Sequence, residues 1–243
     1  MRKIIIPVAI VSFALTALPA CTGLQEVANQ IGQASTGGTI GQTQIASALK
    51  EALQQGVDKQ VVKLTKTDGF LGNSLVKIGM PEELRKVETG LRAAGLGSLA
   101  DEGIRALNRA AENAVKEATP IFVDAITSMS ISDATNILMG NKNAATQYLE
   151  KTTSKSLYGK FNPVIKSSFS KVGADKIWTN LISKYNTLPL VQKVNPDLTD
   201  YVTEKALEGV FTMIEKEELN IRQNVSARST NLLKSVFAMQ DKK

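Results

Sequence analysis

Apolar residues recur every three or four positions over most of the chain, and this period limits its fold more than any other feature. The clearest stretch has them at Ile45, Leu49, Leu53, Val57, Val61 and Leu64. Such spacing places the side chains on one face of an α-helix. We find no convincing run of alternating apolar and polar residues, which would indicate a β-strand. The sequence therefore predicts an all-α fold, a multi-helix bundle without a significant sheet.

Capping and helix-breaking residues divide this pattern into about nine or ten helices. Pro81 and Pro163 are typical of a first helical turn, Gly95 of a helix end, and Ser98 with Asp101 resembles a capping box. The expected helices are, approximately, 43–64, 81–95, 98–118, 120–126, 131–139, 144–158, 163–172, 175–186, 197–222 and 227–239. The one long connection, 187–195, is apolar, and we expect it to cover an edge of the core rather than to form a ligand groove.

The first residues have the order of a secretory signal. Arg2 and Lys3 precede an apolar run, Ile4 to Ala17, that is shorter than the roughly 20 residues of a membrane-spanning helix. The next residues, Leu18-Pro19-Ala20-Cys21, resemble the lipobox of bacterial lipoproteins, although Pro19 departs from its usual pattern. The resemblance implies that Cys21 is diacylated and becomes the new N-terminus. We therefore predict a lipoprotein signal peptide at 1–20.

Two further regions follow the predicted signal. Residues 21–43 are rich in Gly, Gln, Ser and Thr, which is typical of a flexible tether, and 44–240 form a single all-α domain. Thr22, instead of an aspartate, follows the cysteine. By resemblance to Gram-negative lipoproteins, this favours the periplasmic side of the outer membrane over retention at the inner membrane.

The chain has no histidine and only one cysteine. These two counts exclude Ser-His-Asp and Cys-His catalytic triads, His/Cys zinc sites, Fe–S clusters and structural disulfides. Neither a Gly-rich phosphate loop nor a dinucleotide-binding fingerprint is present. We therefore expect no cofactor, no metal and no catalytic residue of these classes.

Acidic and basic side chains remain as candidates. Glu204, Glu208 and Glu215 lie on one face of a predicted helix. This face is solvated, pairs with a basic segment, or supplies oxygen ligands to Ca²⁺ or Mg²⁺. Arg109 and Glu112 are candidates for a catalytic pair. However, Arg109 points away from the apolar side of its helix, so we expect it to lie in solvent or to form an ordinary ion pair. Asp124 lies in a very apolar helix. If that helix is central, Asp124 needs a partner or is a functional carboxylate.

Charge is unevenly distributed along the C-terminal half. Residues 151–184 contain seven lysines and one acid, whereas residues 197–220 contain seven acids and two lysines. The lysine segment has neither arginine nor a row of aromatic residues, which argues against nucleic-acid binding. We interpret it first as a solvated face. If it has a partner, we expect the acidic segment or anionic lipid, with the intramolecular role favoured.

Several short motifs resemble, in order, a bacterial family of domains of unknown function, number 4197. They are Asp68-Gly69-Phe70-Leu71, Leu107-Asn108-Arg109-Ala110-Ala111-Glu112, Ile121-Phe122-Val123-Asp124-Ala125-Ile126, Tyr185-Asn186-Thr187-Leu188-Pro189-Leu190-Val191, Tyr201-Val202-Thr203-Glu204-Lys205-Ala206-Leu207 and Thr230-Asn231-Leu232-Leu233-Lys234. The resemblance spans about 44–237 and implies a secreted or lipid-anchored helical protein. It transfers no catalytic residue.

Two functions agree with these observations. The first is a non-enzymatic, lipid-anchored helical module that binds an envelope protein or anionic lipid. The alternative is a periplasmic carboxylate-dependent hydrolase or divalent-cation-binding protein that uses some of Asp124, Glu112 and Glu204.

Overall fold

The first helix, α1, shows how the apolar period becomes a buried surface. It runs Gln42–Leu64, and all six periodic residues are buried: Ile45, Leu49, Leu53, Val57, Val61 and Leu64. At its start the side-chain oxygen of Gln44 accepts a 2.9 Å hydrogen bond from the backbone N–H of Gly41. This bond helps to close the helix N-terminus. The helix therefore begins one residue before the predicted cap, Thr43.

The other helices follow in nearly the predicted order. The computed structural model describes residues 40–171, 174–187, 193 and 197–241. Its further helices are α2 Arg85–Ala93, α3 Gly97–Ala114, α4 Ala118–Thr127, α5 Ile131–Met139, α6 Ala144–Lys171, α7 Ala174–Asn186, α8 Thr199–Gln223 and α9 Asn231–Phe237. Short 3₁₀ turns occupy Glu82–Leu84, Val115–Glu117 and Val225–Ala227. Over these described residues helix is the only regular secondary structure, which confirms the all-α prediction.

Two long helices, α6 and α8, pack together at the centre of the bundle. Helix α3 lies against both of them, while α1 contacts α4, α5 and α8. In the core, the rings of Phe122 and Phe211 meet edge to face, with centroids 6.0 Å apart. This is a favoured arrangement of two aromatic rings. All of these helices belong to one compact unit, residues 41–243.

Helix α6 covers a stretch for which the sequence predicts two helices. Pro163, the predicted start of the second, lies inside it. An internal proline removes one backbone hydrogen bond and costs about 3 kcal/mol or more. Leu157, Phe161, Ile165 and Phe169, on both sides of Pro163, are nevertheless buried. Because burial of each such side chain contributes about 1.5–3 kcal/mol, packing outweighs the cost of the proline.

The predicted capping box at Ser98 and Asp101 is wrong. Helix α3 begins at Gly97 without a side-chain cap, and the Asp101 carboxylate instead accepts a 2.6 Å hydrogen bond from Arg92. A capping box does exist at the start of α5, where Ser130 Oγ accepts from the backbone N–H of Asp133 at 3.0 Å. A capping box therefore closes the N-terminus of α5 and not that of α3.

Gly209 allows α8 to approach the segment that joins α1 to α2. A Cβ at this position would lie 2.7 Å from an edge carbon of the Phe70 ring. Phe70 is fully buried, so the ring has little room to move aside. The glycine thus lets the Asp68-Gly69-Phe70-Leu71 motif insert its aromatic residue into the core.

Candidate ligand groove and charged clusters

Arg109 and Glu112 hold the α1–α2 connection against α3. Arg109 Nη1 donates to Glu112 at 2.6 Å, and Nη2 donates to Asp68 at 2.8 Å. The second Glu112 oxygen accepts from the backbone N–H of Phe70 at 3.2 Å. The hydrogen bond to Glu112 is the main reason that the pKa of Arg109 is raised. We call Asp68, Phe70, Arg109 and Glu112 the clasp. It gives Arg109 an ion pair, and it satisfies both oxygens of the buried Glu112.

Asn108, next to Arg109, fastens the same connection at a second point. Its side-chain oxygen accepts from the backbone N–H of Ile78 at 2.9 Å. Its NH₂ group donates to the carbonyls of Ile78 and Ile104 at 2.8 and 2.7 Å. Asn108 is completely buried, and leaving such a group without partners would cost about 1–3 kcal/mol. The second family-like motif is therefore largely structural.

Glu218 of α8 binds the beginning of α6. Its carboxylate accepts from the backbone N–H groups of Ala145 and Thr146, at 3.0 and 2.8 Å, and from the Thr146 hydroxyl at 2.8 Å. The first N–H groups of a helix lack partners within it and form the positive end of its dipole. A buried carboxylate at this position is therefore well solvated by the protein.

Arg222, one turn after Glu218, binds the end of α5. Its guanidinium donates to the carbonyls of Ile137 and Leu138, at 2.8 and 3.1 Å, and to Glu218 at 2.9 Å. Both side chains of the pair are almost fully buried. This ion pair joins α5, α6 and α8 at one point.

Arg228 closes the C-terminal end of the bundle. It is 2 % exposed and donates to the carbonyls of Ile221 and Arg222 at 3.0 and 2.9 Å. Two further bonds, 2.6 and 2.8 Å, go to both oxygens of Asp241, and its guanidinium lies 5.5 Å from the centre of the Phe237 ring. Bonding to Arg228 lowers the pKa of Asp241. The last described residue is thus tied to the fold.

Asp124 does not occupy the central position that its apolar helix suggested. Its side chain is exposed, although Phe122 and Ile126 of the same helix are buried. Only one side of α4 faces the core, so this carboxylate stays in water and needs no buried partner. The expectation that depended on a central helix is therefore not met.

Glu204 and Glu208 line an acidic groove between α6 and α8. Its lining also includes Glu150 and Glu215, but neither Glu112 nor Asp124. Glu208 is paired with Lys205 of its own helix at 2.5 Å. No group of three acidic side chains in the described part of the chain is arranged to hold a metal ion.

The described lysines of 151–176 lie in water. All six are exposed: Lys151, Lys155, Lys160, Lys166, Lys171 and Lys176. Helix α6 meets the acidic α8 through neutral groups instead, since Asp200 accepts from Tyr158 at 2.7 Å and from Asn162 at 2.8 Å. No ion pair joins a described lysine of this segment to Asp200 or to the acids that follow it in α8. The intramolecular pairing therefore includes no ion pair at these residues, although the charge of Lys166 adds to the lowering of the pKa of Asp197, which is mainly caused by hydrogen bonds with Thr199.

A large apolar groove opens between α3, α6 and α7, with Leu91 of α2 at its edge. Its volume is about 780 Å³. We call its apolar lining the floor, and this includes Gly103, Ala106 and Ala110 of α3, Pro163 and Val164 of α6, and Trp178 of α7. Gly103 lies directly under the Trp178 indole, where a Cβ would collide with the ring. Small residues on α3 therefore both seat the tryptophan and leave the space beside it.

Several of these residues were not identified from the sequence. The role of Glu218 could have been predicted from the sequence. It lies between Ile214 and Ile221 on the apolar face of α8, where a buried charge requires a partner. No sequence pattern indicated the role of Arg228, because the sequence predicts a helix at 227–239, whereas Arg228 lies between a 3₁₀ turn and the start of α9 at Asn231. No sequence pattern indicated the groove either, because its lining comes from residues as far apart in the sequence as Leu91 and Trp178.

The predicted lipidation site, Cys21, lies outside the described residues, as do the signal peptide and most of the tether. The same holds for most of the apolar connection 187–195, of which only Thr187 and Lys193 are described. None of the described helices combines the length and the apolar character needed to cross a membrane.

Comparison with known proteins identifies the family. Residues 39–238 match the family of proteins of unknown function DUF4197. The chain belongs to this family. The DUF4197 match contains the clasp, Asn108, the Glu218–Arg222 pair and the whole lining of the apolar groove. No curated protein and no solved structure matches the chain.

Proposed function

We propose that this DUF4197 protein is a lipid-anchored, non-enzymatic binding module of the bacterial cell envelope, which takes an apolar ligand in the groove between α3, α6 and α7. The groove carries this proposal. Its volume of about 780 Å³ lies within the roughly 300–1,000 Å³ of small-molecule sites. Its floor combines aliphatic side chains with one indole, which is the lining that apolar ligands prefer.

The N-terminal sequence supports the anchor. Arg2 and Lys3, the apolar run and Cys21 follow one another as in a lipoprotein precursor. Each buried CH₂ of an acyl chain contributes about 0.8 kcal/mol to membrane binding, so two or more chains hold a protein on a bilayer. Thr22 after the cysteine supports the periplasmic side of the outer membrane as the location.

The positions of the carboxylates support a binding role over the alternative of a hydrolase or cation-binding protein. Glu112 uses both oxygens within the clasp. Asp124 is exposed, and Glu204 lines a separate groove. A general acid and a base must reach the same substrate, and these three side chains share no groove lining.

The exposed lysines of α6 suit an anionic surface. At the envelope, these side chains would meet lipid phosphates, each contributing about 1 kcal/mol when close to the membrane. Binding to anionic vesicles that weakens with added salt, and that falls when Lys151 and Lys155 become Gln, would test this contact.

Blocking the groove tests the proposed ligand site. Ser167 and Ser156 are both exposed on α6, but only Ser167 lines the groove. The chain from Thr22 to Lys243, which lacks both the predicted signal peptide and the acylated cysteine and contains the whole compact unit of helices, is titrated with the uncharged fluorophore N-phenyl-1-naphthylamine. We expect saturable binding that Ser167→Phe weakens about tenfold or more and Ser156→Phe leaves unchanged. Equal binding by both variants would show that the probe lies elsewhere.

A further inference from the structure

The lining of the apolar groove carries positive charge from two different helices. Arg105 of α3 and Lys171 at the end of α6 both line it. Each is exposed, and neither forms an ion pair with a described residue. These two cations are available to a ligand.

The other charged groups in or near the lining leave that availability intact. Arg109 also lines the groove, but the clasp already engages it with Asp68 and Glu112. Asp101 is close enough for Arg105 to lower its pKa slightly, yet its main partner is Arg92. Among the described lining residues Glu102 is the one acid, and it forms no ion pair with Arg105, three residues later. Arg105 and Lys171 together therefore outweigh Glu102.

A mostly apolar lining that also carries two unpaired cations is complementary to a molecule with one apolar and one anionic end. We propose that the groove binds an anionic amphiphile, with its acyl chain along Gly103, Val164 and Trp178 and its carboxylate or phosphate head between Arg105 and Lys171. The planar guanidinium of arginine matches such a head with two parallel hydrogen bonds, and lysine adds a mobile point charge. This inference rests on the proposed apolar-ligand site and adds the chemical class of the ligand.

Three amphiphiles with the same chain separate the effect of the head from that of the chain. Laurate is anionic, lauryl maltoside is uncharged and lauryltrimethylammonium is cationic. Each is titrated, below its critical micelle concentration, into the chain from Thr22 to Lys243, which contains the whole compact unit of helices. Trp178 is the only tryptophan, so its fluorescence reports on the groove itself. We expect laurate to bind about five-fold or more tighter than the other two, and added salt to weaken laurate binding alone.

Charge-removing variants locate the head. Arg105→Gln and Lys171→Gln should each weaken laurate binding about two- to five-fold, the size expected for a partly exposed charge pair, without changing lauryl maltoside binding. Lys63→Gln is the matched control, because Lys63 is an exposed lysine of α1 that lies outside both the groove lining and the lysine-rich segment. It should leave all three affinities unchanged.

The outcomes distinguish the two proposals. Equal affinities for the three heads, or laurate binding that is insensitive to Arg105→Gln and Lys171→Gln, would overturn the anionic-amphiphile inference and leave the apolar-ligand site in place. Loss of binding for all three amphiphiles and for N-phenyl-1-naphthylamine would overturn both. Tighter binding of the cationic amphiphile would reverse the assigned charge preference.

Discussion

Glu218 and Arg222 lie one turn apart on α8 and bind opposite ends of two other helices. The carboxylate meets the N-terminus of α6, and the guanidinium meets the C-terminus of α5. Each charge thus lies at the helix end whose dipole it complements. Because both side chains are buried, each also balances the charge of the other. The fold depends on the two residues as a unit.

Replacement of Glu218 should therefore be strongly destabilising. Glu218→Ala leaves the buried Arg222 guanidinium without a counter-charge and the first N–H groups of α6 without an acceptor. We expect the free energy of unfolding to fall by about 3–5 kcal/mol, measured by urea denaturation. Glu204→Ala, at an exposed acid on the same helix, should change it by less than about 0.5 kcal/mol. Similar values for the two variants would contradict the structural role of the pair.

Two glycines in long helices should respond to alanine in opposite directions. In Gly209→Ala the new methyl group collides with the buried Phe70 ring, and we expect a loss of about 1–3 kcal/mol. At Gly159, inside α6, a Cβ would meet nothing within 4 Å. Gly159→Ala should stabilise the protein by about 0.5–1 kcal/mol through helix propensity alone. Thermal unfolding of both variants followed by circular dichroism checks the signs.

The contact of Asp241 with Arg228 should make C-terminal stability depend on acid pH. The pKa of Asp241 is lowered from 3.8, so its contribution is complete above that value and is lost as the pH falls through the lower folded-state pKa. The melting temperature of Asp241→Asn should lie below that of the wild type at neutral pH and converge with it only below pH 3.8. Asp241 is 40 % exposed, so the effect is under about 1 kcal/mol. A difference that grows on acidification would have the wrong sign.

Cys21→Ser should abolish acylation. The prediction follows from Leu18-Pro19-Ala20-Cys21 after the apolar run. Cells fed a clickable palmitate should label the wild type and leave the variant unlabelled. Incorporation of equal label into both proteins would rule out lipidation at this cysteine.

The sequence predicts α1 well because its information is local. Burial of one face requires only that Ile45, Leu49 and their successors recur with the helical period, and all are buried. Pro163 shows where local reasoning fails, since its effect on α6 is decided by Phe161 and Ile165 packing against other helices. A helix-breaking residue does not reveal how much burial surrounds it.

For the charged residues, too, the sequence predicts what depends on local helix geometry and misses what depends on distant contacts. The exposure of Arg109 beside its ion pair follows from the face of α3 that it occupies. Its link to Asp68 spans 41 positions and depends on the path of the α1–α2 connection, which no periodic pattern encodes. The groove is harder still to predict from the sequence. Empty space between helices depends on how they pack together, and no single segment of the sequence encodes it.

Helix α2 gives the groove a wall that can move. It has no buried side chain and packs mainly on α3, yet its Leu91 lines the groove. Elements with few buried contacts open locally at a small fraction of the global unfolding free energy. Amide hydrogens of α2 should therefore exchange with solvent while those of α6 and α8 remain protected. If the groove binds an acyl chain as proposed, local opening of α2 would admit it from the side and leave the core helices packed.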